Sequence, residues 1–152
     1  MSQATHTSRR VGIAERLSGA LKLRRDLVSR AVWRGCKTAR QRLAGAASES
    51  KTSVFVTGHQ RSGTNMLMEA FERSAETDVY HENDSRAFDE YIMKDRAVIR
   101  GLVDRSPAPV VVVKGLCEAQ DLPEMLDAFS PARGIWVVRH YEDVVNSMVI
   151  SF

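Results

Sequence analysis

The sequence predicts an α/β fold, a three-layer parallel sheet preceded by a basic helical arm. Short β-branched or aromatic runs alternate with segments whose apolar residues recur at helical spacing, the pattern of strand–helix–strand units. One run, Val110-Val-Val-Val113, is unbroken apolar, as suits a parallel strand covered by helices on both faces. The charge is divided: residues 1–51 hold 12 Lys/Arg against 3 Asp/Glu, while residues 52–152 hold 10 against 16. A length of 152 residues with 43% hydrophobic content suits one domain and an appendage. Residues 1–51 therefore read as arm and linker, and 52–152 as the domain.

Between Val11 and Leu43, the apolar Leu17, Leu21, Leu27, Val28, Ala31 and Val32 fall near helical spacing, with Arg16, Lys22, Arg25, Arg30 and Arg34 between them. This is an amphipathic basic helix, interrupted near Gly35. A solvated helical appendage is the favoured reading of residues 9–43. A membrane surface or an anionic partner is the alternative, and no specific nucleic-acid contact is written there. Residues 44–51 are small and polar and read as a linker.

In the domain, Ser53–Thr57 is the first strand, followed by a glycine loop and an apolar helix from Met66 to Phe71. Asp78–His81 is a second strand. Phe88, Tyr91, Ile92, Val98, Ile99 and Leu102 mark one long helix with its charges on the other face. Pro107 and Pro109 punctuate before the strand at Val110–Val113, and Leu122, Met125, Leu126 and Phe129 have the spacing of the next helix. Gly134–Val138 is another buried strand, with a helix following from about Tyr141. Right-handed crossovers between parallel strands place ligands at the strands' carboxyl ends.

Cys36 and Cys117 are the only cysteines, so neither a disulfide framework nor a metal-ligand spacing is present, and a reducing, cytoplasmic setting is expected, with membrane-surface association left open by the arm. There is no apolar run of about 18 residues and no signal-peptide pattern. Asn83-Asp84-Ser85 matches the glycosylation triplet, which is common by chance.

Gly58-His-Gln-Arg-Ser-Gly63-Thr64-Asn65 follows a strand and opens a helix. Glycines let a backbone turn tightly round an oxyanion, and the unpaired amides and dipole of the helix start hold its charge. The glycine spacing is that of a nucleoside-triphosphatase loop, but Thr64-Asn65 stand where Lys-Ser/Thr would reach the phosphates and Mg²⁺. The cation is instead Arg61, inside the loop, whose planar fork suits a phosphate or sulfate oxygen.

Val56-Thr-Gly-His-Gln-Arg-Ser-Gly-Thr-Asn-Met-Leu67 resembles the 5′-phosphosulfate loop of the sulfotransferase family, whose Arg/Lys-Ser-Gly-Thr core stands here as Arg61-Ser62-Gly63-Thr64. Ile135-Trp-Val-Val-Arg139-His-Tyr-Glu-Asp143-Val-Val-Asn-Ser147 resembles that family's 3′-phosphate motif, a strand ending in Arg with Ser eight residues later on the next helix. The pair is far more specific than either alone. The resemblance covers about residues 53–152 and implies a sheet of the P-loop/sulfotransferase type. It implies 3′-phosphoadenosine 5′-phosphosulfate (PAPS) as co-substrate, sulfuryl transfer to a hydroxyl or amine acceptor, and no metal. Gly58, Arg61, Ser62, Gly63, Thr64, Asn65, Arg139 and Ser147 are the nucleotide-binding residues it implies, with Arg61 also serving the transfer. Family members often carry a Glu after the second strand, which makes Glu82 the candidate base, with His81 and Asp84 behind it. Lys114 closes the third strand within reach of donor or acceptor, the other reading being a solvated cap of the sheet.

Family members usually continue through helices that shape the acceptor pocket and a glycine-containing basic loop over the nucleotide. The chain stops at Phe152, so a fragment, a truncated product or a small relative is expected. Two other classes stand beside this reading. One is a P-loop nucleotide kinase or hydrolase, which Thr64-Asn65 argues against. The other is a non-catalytic nucleotide-domain remnant whose arm binds a membrane or partner.

Overall fold

A computed structural model of the chain describes residues 28–29, 32–33, 35–43 and 51–150. The expectations for residues 1–27, for linker positions 44–50 and for Phe152 lie outside the described residues. The chain divides into two units, Met1–Ala39 and Arg40–Phe152. In the first, the described residues are helical, with Val28, Val32 and Trp33 exposed. Residues 35–43 are helical (α1), and in the second unit Gln41 Nε2 donates to the carbonyls of Ala75 at 3.0 Å and Thr77 at 2.9 Å. No helix among the described residues is long and apolar enough to cross a membrane.

The second unit is α/β. Its elements are β1 Thr52–Gly58, α2 Thr64–Arg73, β2 Thr77–Tyr80, the short β3 Phe88–Asp89 and β4 Ile92–Met93, α3 Arg96–Arg105, β5 Val110–Lys114, a 3-10 turn at Ala119–Asp121, α4 Leu122–Ala128, β6 Ala132–Val137 and α5 Tyr141–Val149. Four strands form a parallel sheet in the order β2-β5-β1-β6. After β1 the chain moves outward to β2, returns to β5, and then crosses β1 to reach β6. With right-handed crossovers the two directions put their helices on opposite faces.

The core follows that division. Strand alternation sends Val54, Val56 and Val112 to one face, where Met68 of α2 packs with Leu67 and Phe71. Phe55, Val111 and Val113 point to the other, against Ile99 and Val103 of α3, Met125 of α4, and Phe129. Three layers result. Phe129 meets Phe55 edge to face at a centroid distance of 5.2 Å, and the Arg100 guanidinium covers its ring at 4.2 Å. β5 is buried from Val111 to Lys114, as its unbroken apolar run demands.

Two expectations are corrected. The long helix from Phe88 to Leu102 is a hairpin followed by a shorter helix. Phe88 and Met93 pair across an antiparallel turn whose Glu90 and Tyr91 have φ of 45° and 71°. Lys94 N–H donates to Ala87 O at 2.9 Å, and Ala87 and Phe88 are buried. The spacing of Phe88, Tyr91 and Ile92 imitates one face of a helix, but tertiary bonds decide the backbone. The second correction concerns β6, which is expected to be buried. Among the described residues it has a strand only on its β1 side, and Arg133, Gly134 and Trp136 are exposed.

Beside the end of β2, Ser106 Oγ donates to Asp78 Oδ2 at 2.9 Å and Tyr80 OH to the same oxygen at 3.2 Å, with the Arg86 guanidinium 4.7 Å above the Tyr80 ring. Burial first, and the negative Asp78 second, push the Tyr80 phenol from 10.0 up to about 12. As pH rises, the unfolded chain gives up this proton before the folded one does. Tyr80 thus contributes stability that is fully present below pH 10.0 and is lost as pH climbs to about 12. Denaturant midpoints followed across that interval should fall in the wild type and fall less in Tyr80→Phe, which has no proton to lose. Parallel losses would assign the alkaline limb to other groups.

Candidate functional site

β1 ends at Gly58, where φ is 149° and a Cβ would sit 2.3 Å from Val137 O on β6. Only glycine lets the two strand ends approach this closely. The loop turns at Arg61, with φ 65°, and at Gly63, with φ 103°, before α2 begins at Thr64. Ser62 closes the turn internally, its hydroxyl donating to His59 O at 2.6 Å and its N–H to the same oxygen at 3.2 Å. α2 has no side-chain cap and no acidic residue in its first turn. Its leading amides and the positive end of its dipole face the loop, an arrangement that favours an anion.

Lys114 ends β5 and is 1% exposed, so the reading as a solvated cap is corrected. It points to the α2 face of the sheet, where Nζ donates to Asn65 Oδ1 at 2.7 Å and pairs with Glu82 Oε1 at 3.0 Å. A buried ammonium requires such partners, because desolvation without them costs more than the fold can absorb. The Glu82 side chain is 26% exposed. The other two acidic or basic candidates beside β2 are engaged. His81 Nε2 lies 3.2 Å from Glu72 Oε1 on α2. Asp84 is paired with Arg86 at 2.6 Å, and this hydrogen bond, ahead of every other influence, holds the Arg86 guanidinium above its usual range.

The second motif arrives from the other side of β1. Arg139 follows β6, and Ser147 lies on α5. Arg61 Nε donates to Ser147 Oγ at 3.1 Å and its Nη2 to Ser147 O at 3.3 Å. Arg139 Nη1 reaches Arg61 O at 3.5 Å and its Nε stands 3.7 Å from Asp143 one helical turn on. Loop and motif are thus in contact although Arg61 and Ser147 are 86 positions apart, and both groups of bonds are exposed to solvent.

Six of the residues singled out from sequence are brought together in two groups, while Gly58, Ser62, Gly63 and Thr64 make up the loop and helix start, and His81 and Asp84 bond to Glu72 and Arg86 instead. Asn65, Lys114 and Glu82 form one, and Arg61, Arg139 and Ser147 the other. The sequence did not disclose the Glu72–His81 pair. A signal was present, since Asn65 and Glu72 are seven residues apart and share one face of α2. Among the described residues, no group of three or more His, Cys, Asp or Glu could hold a metal ion, and Cys36 and Cys117 are both free and exposed.

Gly58→Ala tests the closest approach in this site. The new methyl meets backbone rather than a movable side chain, so the denaturant midpoint should report a loss of more than about 1 kcal/mol. An unchanged midpoint would show that β6 can move away from the loop without penalty. No protein-family model, curated protein or solved structure matches this chain.

Proposed function

We propose that residues 52–150 form the donor-binding part of a sulfotransferase, which holds PAPS and passes its sulfuryl group to a hydroxyl or amine. The observation that carries this reading is the meeting of Arg61 with Ser147 and Arg139 at the strand ends. Two guanidinium groups, a hydroxyl and the uncapped start of α2 converge there. A nucleotide with phosphates on both its 5′ and 3′ positions would satisfy that set of donors.

In this reading the α2 amides and Thr64 hold the 5′-phosphosulfate, Arg61 offsets the charge that develops on the leaving phosphate, and Arg139 with Ser147 holds the 3′-phosphate. Transfer is in line. The acceptor oxygen or nitrogen forms a bond to sulfur as the bond from sulfur to the 5′-phosphate oxygen breaks, leaving 3′-phosphoadenosine 5′-phosphate. The acceptor's proton goes to Glu82, whose Oε1 pairs with Lys114 and whose side chain remains partly exposed. A nucleoside triphosphate with Mg²⁺ fits less well, because Asn65 stands at the position of the metal-binding hydroxyl and its side-chain oxygen is already bonded to Lys114.

Calorimetry with 3′-phosphoadenosine 5′-phosphate tests the donor site directly. The nucleotide should bind and raise the melting temperature without Mg²⁺, and ATP with Mg²⁺ should not match it. Arg139→Ala should weaken this ligand by about 10- to 100-fold while leaving adenosine 5′-phosphate nearly unaffected, the consequence of one lost charge-assisted contact. Equal losses for the two ligands would remove Arg139 from the 3′-phosphate.

Glu82→Gln separates binding from turnover. Donor affinity should persist while sulfuryl transfer falls by about 10²–10⁴-fold, since shape is kept and proton acceptance is lost. Undiminished turnover in this variant, measured with a confirmed acceptor, would move the base to another residue.

A further inference from the structure

Glu82 lies beyond the strand ladder. Pairing between β2 and β5 ends at Tyr80 and Val113, so His81 and Glu82 follow the last residue that the sheet holds by its backbone. These two consecutive residues make ion pairs with different elements. His81 Nε2 lies 3.2 Å from Glu72 Oε1 on α2, and Glu82 Oε1 lies 3.0 Å from Lys114 Nζ at the end of β5. The Lys114 ammonium also donates to Asn65 Oδ1 at 2.7 Å, which returns the chain of contacts to α2.

Asn65, Lys114, Glu82, His81 and Glu72 thus form a closed ring, completed by the peptide bond between residues 81 and 82 and by the stretch of α2 between residues 65 and 72. Seven residues of helix set the two attachment points about 10 Å apart. A segment held at one point can swing about it, whereas one held at two points this far apart cannot. The turn that carries Glu82 is closed within itself, Asp84 N–H donating to His81 O at 2.9 Å, so its direction is set by these attachments. The start of β2 has a separate tie to α2, since Thr77 Oγ1 donates to Phe71 O, and Phe71 and Val79 pack against the same core cluster. Strand and helix are therefore fastened together without the His81–Glu72 pair. Its side chains are 25% and 29% exposed, and an ion pair in partial contact with water adds little to stability.

We infer that Glu72 and His81 are positioning residues, a clasp from α2 that sets where the Glu82 carboxylate stands relative to the start of the same helix. The inference rests on the reading of Glu82 as the proton acceptor and of the α2 start as the donor site. In-line transfer requires the base and the phosphosulfate to keep a fixed separation, and a displacement of about 1 Å costs on the order of 100-fold in rate. With the base and the donor amides both tied to α2, movement of that helix carries the two together and their separation is kept. The Glu72–His81 bond acts on orientation, and neither of the two side chains takes the proton.

Glu72→Leu removes the acceptor of the His81 bond, and Glu72→Gln keeps an acceptor oxygen there without the charge. Two readouts on the full chain follow the base. The first is the carbon-13 resonance of the Glu82 carboxyl, identified by its loss in Glu82→Gln. Glu72→Leu should displace it, and Glu72→Gln should leave it at the wild-type position. The second is release of 3′-phosphoadenosine 5′-phosphate from PAPS with water as acceptor. There the water oxygen bonds to sulfur as the bond from sulfur to the phosphate oxygen breaks, one water proton passes to Glu82, and hydrogen sulfate leaves. Glu72→Leu should lower kcat by about 10- to 100-fold with KM for PAPS within about threefold, and Glu72→Gln should recover most of the rate. Glu72 has a further interaction of its own, so His81→Phe and the double variant complete a cycle, in which the double variant should lose no more than either single one. The melting temperature should fall by about 5 °C or less in each. A Glu82 resonance unmoved in Glu72→Leu, one moved equally in Glu72→Gln, or losses that add in the double variant would each overturn the clasp. If Glu72→Leu does not fold, His81→Phe takes its place in both readouts, and failure of both to fold assigns the pair to stability and overturns it as well. Where wild-type release is too slow to measure, the resonance decides. Calorimetry with 3′-phosphoadenosine 5′-phosphate separates the two readings. A nucleotide that does not bind while the resonance still follows the Glu72 bond sinks the donor site, and one that binds while the resonance stays unmoved sinks the clasp alone.

Discussion

The Lys114 ammonium is the constraint round which the strand ends are arranged. A charge taken out of water is tolerated only where other groups replace its hydration, and here they come from two separate elements, Asn65 at the start of α2 and Glu82 after β2. Each of those elements is placed by packing on the sheet, α2 through Met68 and β2 through its pairing with β5. The bond to Asn65 sets the first turn of α2, and with it the direction in which the loop amides point. Removing the ammonium would leave the Glu82 carboxylate without its partner and α2 without its polar tie to β5, with only apolar packing such as Met68 on Val112 left between them.

How far the sequence discloses this differs from element to element. β1, α2 and β5 are read from composition because their neighbours are close in sequence or symmetric in space: a strand buried on both faces must be apolar throughout, and Val110–Val113 is. The hairpin at Phe88–Met93 is hidden because part of what holds it, Met93 N–H on Glu118, comes from a partner 25 positions away that no local spacing reports. β6 reads as buried since Ile135, Trp136 and Val137 are apolar, while its exposure follows from its place at the margin of the sheet, which only the strand order determines.

For the candidate site the balance is similar. Arg61 can be chosen from its place in the glycine loop between a strand and a helix, while Arg139 and Ser147 are chosen through the resemblance of their motif, since alone they read as a surface arginine and a neutral helix serine. That Arg61 touches Ser147, and that Lys114 is buried rather than solvated, follow from the order of the strands and the side of the sheet each residue faces.

Gln41 has a consequence for how the sheet meets other polypeptides. Glu76 O accepts from Val110 N–H, so by strand alternation Ala75 and Thr77 direct their carbonyls away from β5, along the margin where β2 ends the sheet among the described residues. The Gln41 amide donates to both of those carbonyls, as a neighbouring strand would, and occupies the start of that margin with a side chain. An extended peptide approaching β2 there would find the Thr77 carbonyl, the first acceptor of the strand, already bonded, which disfavours strand addition at its beginning. One glutamine on a helix thus stands where the first donor of an added strand would have to come.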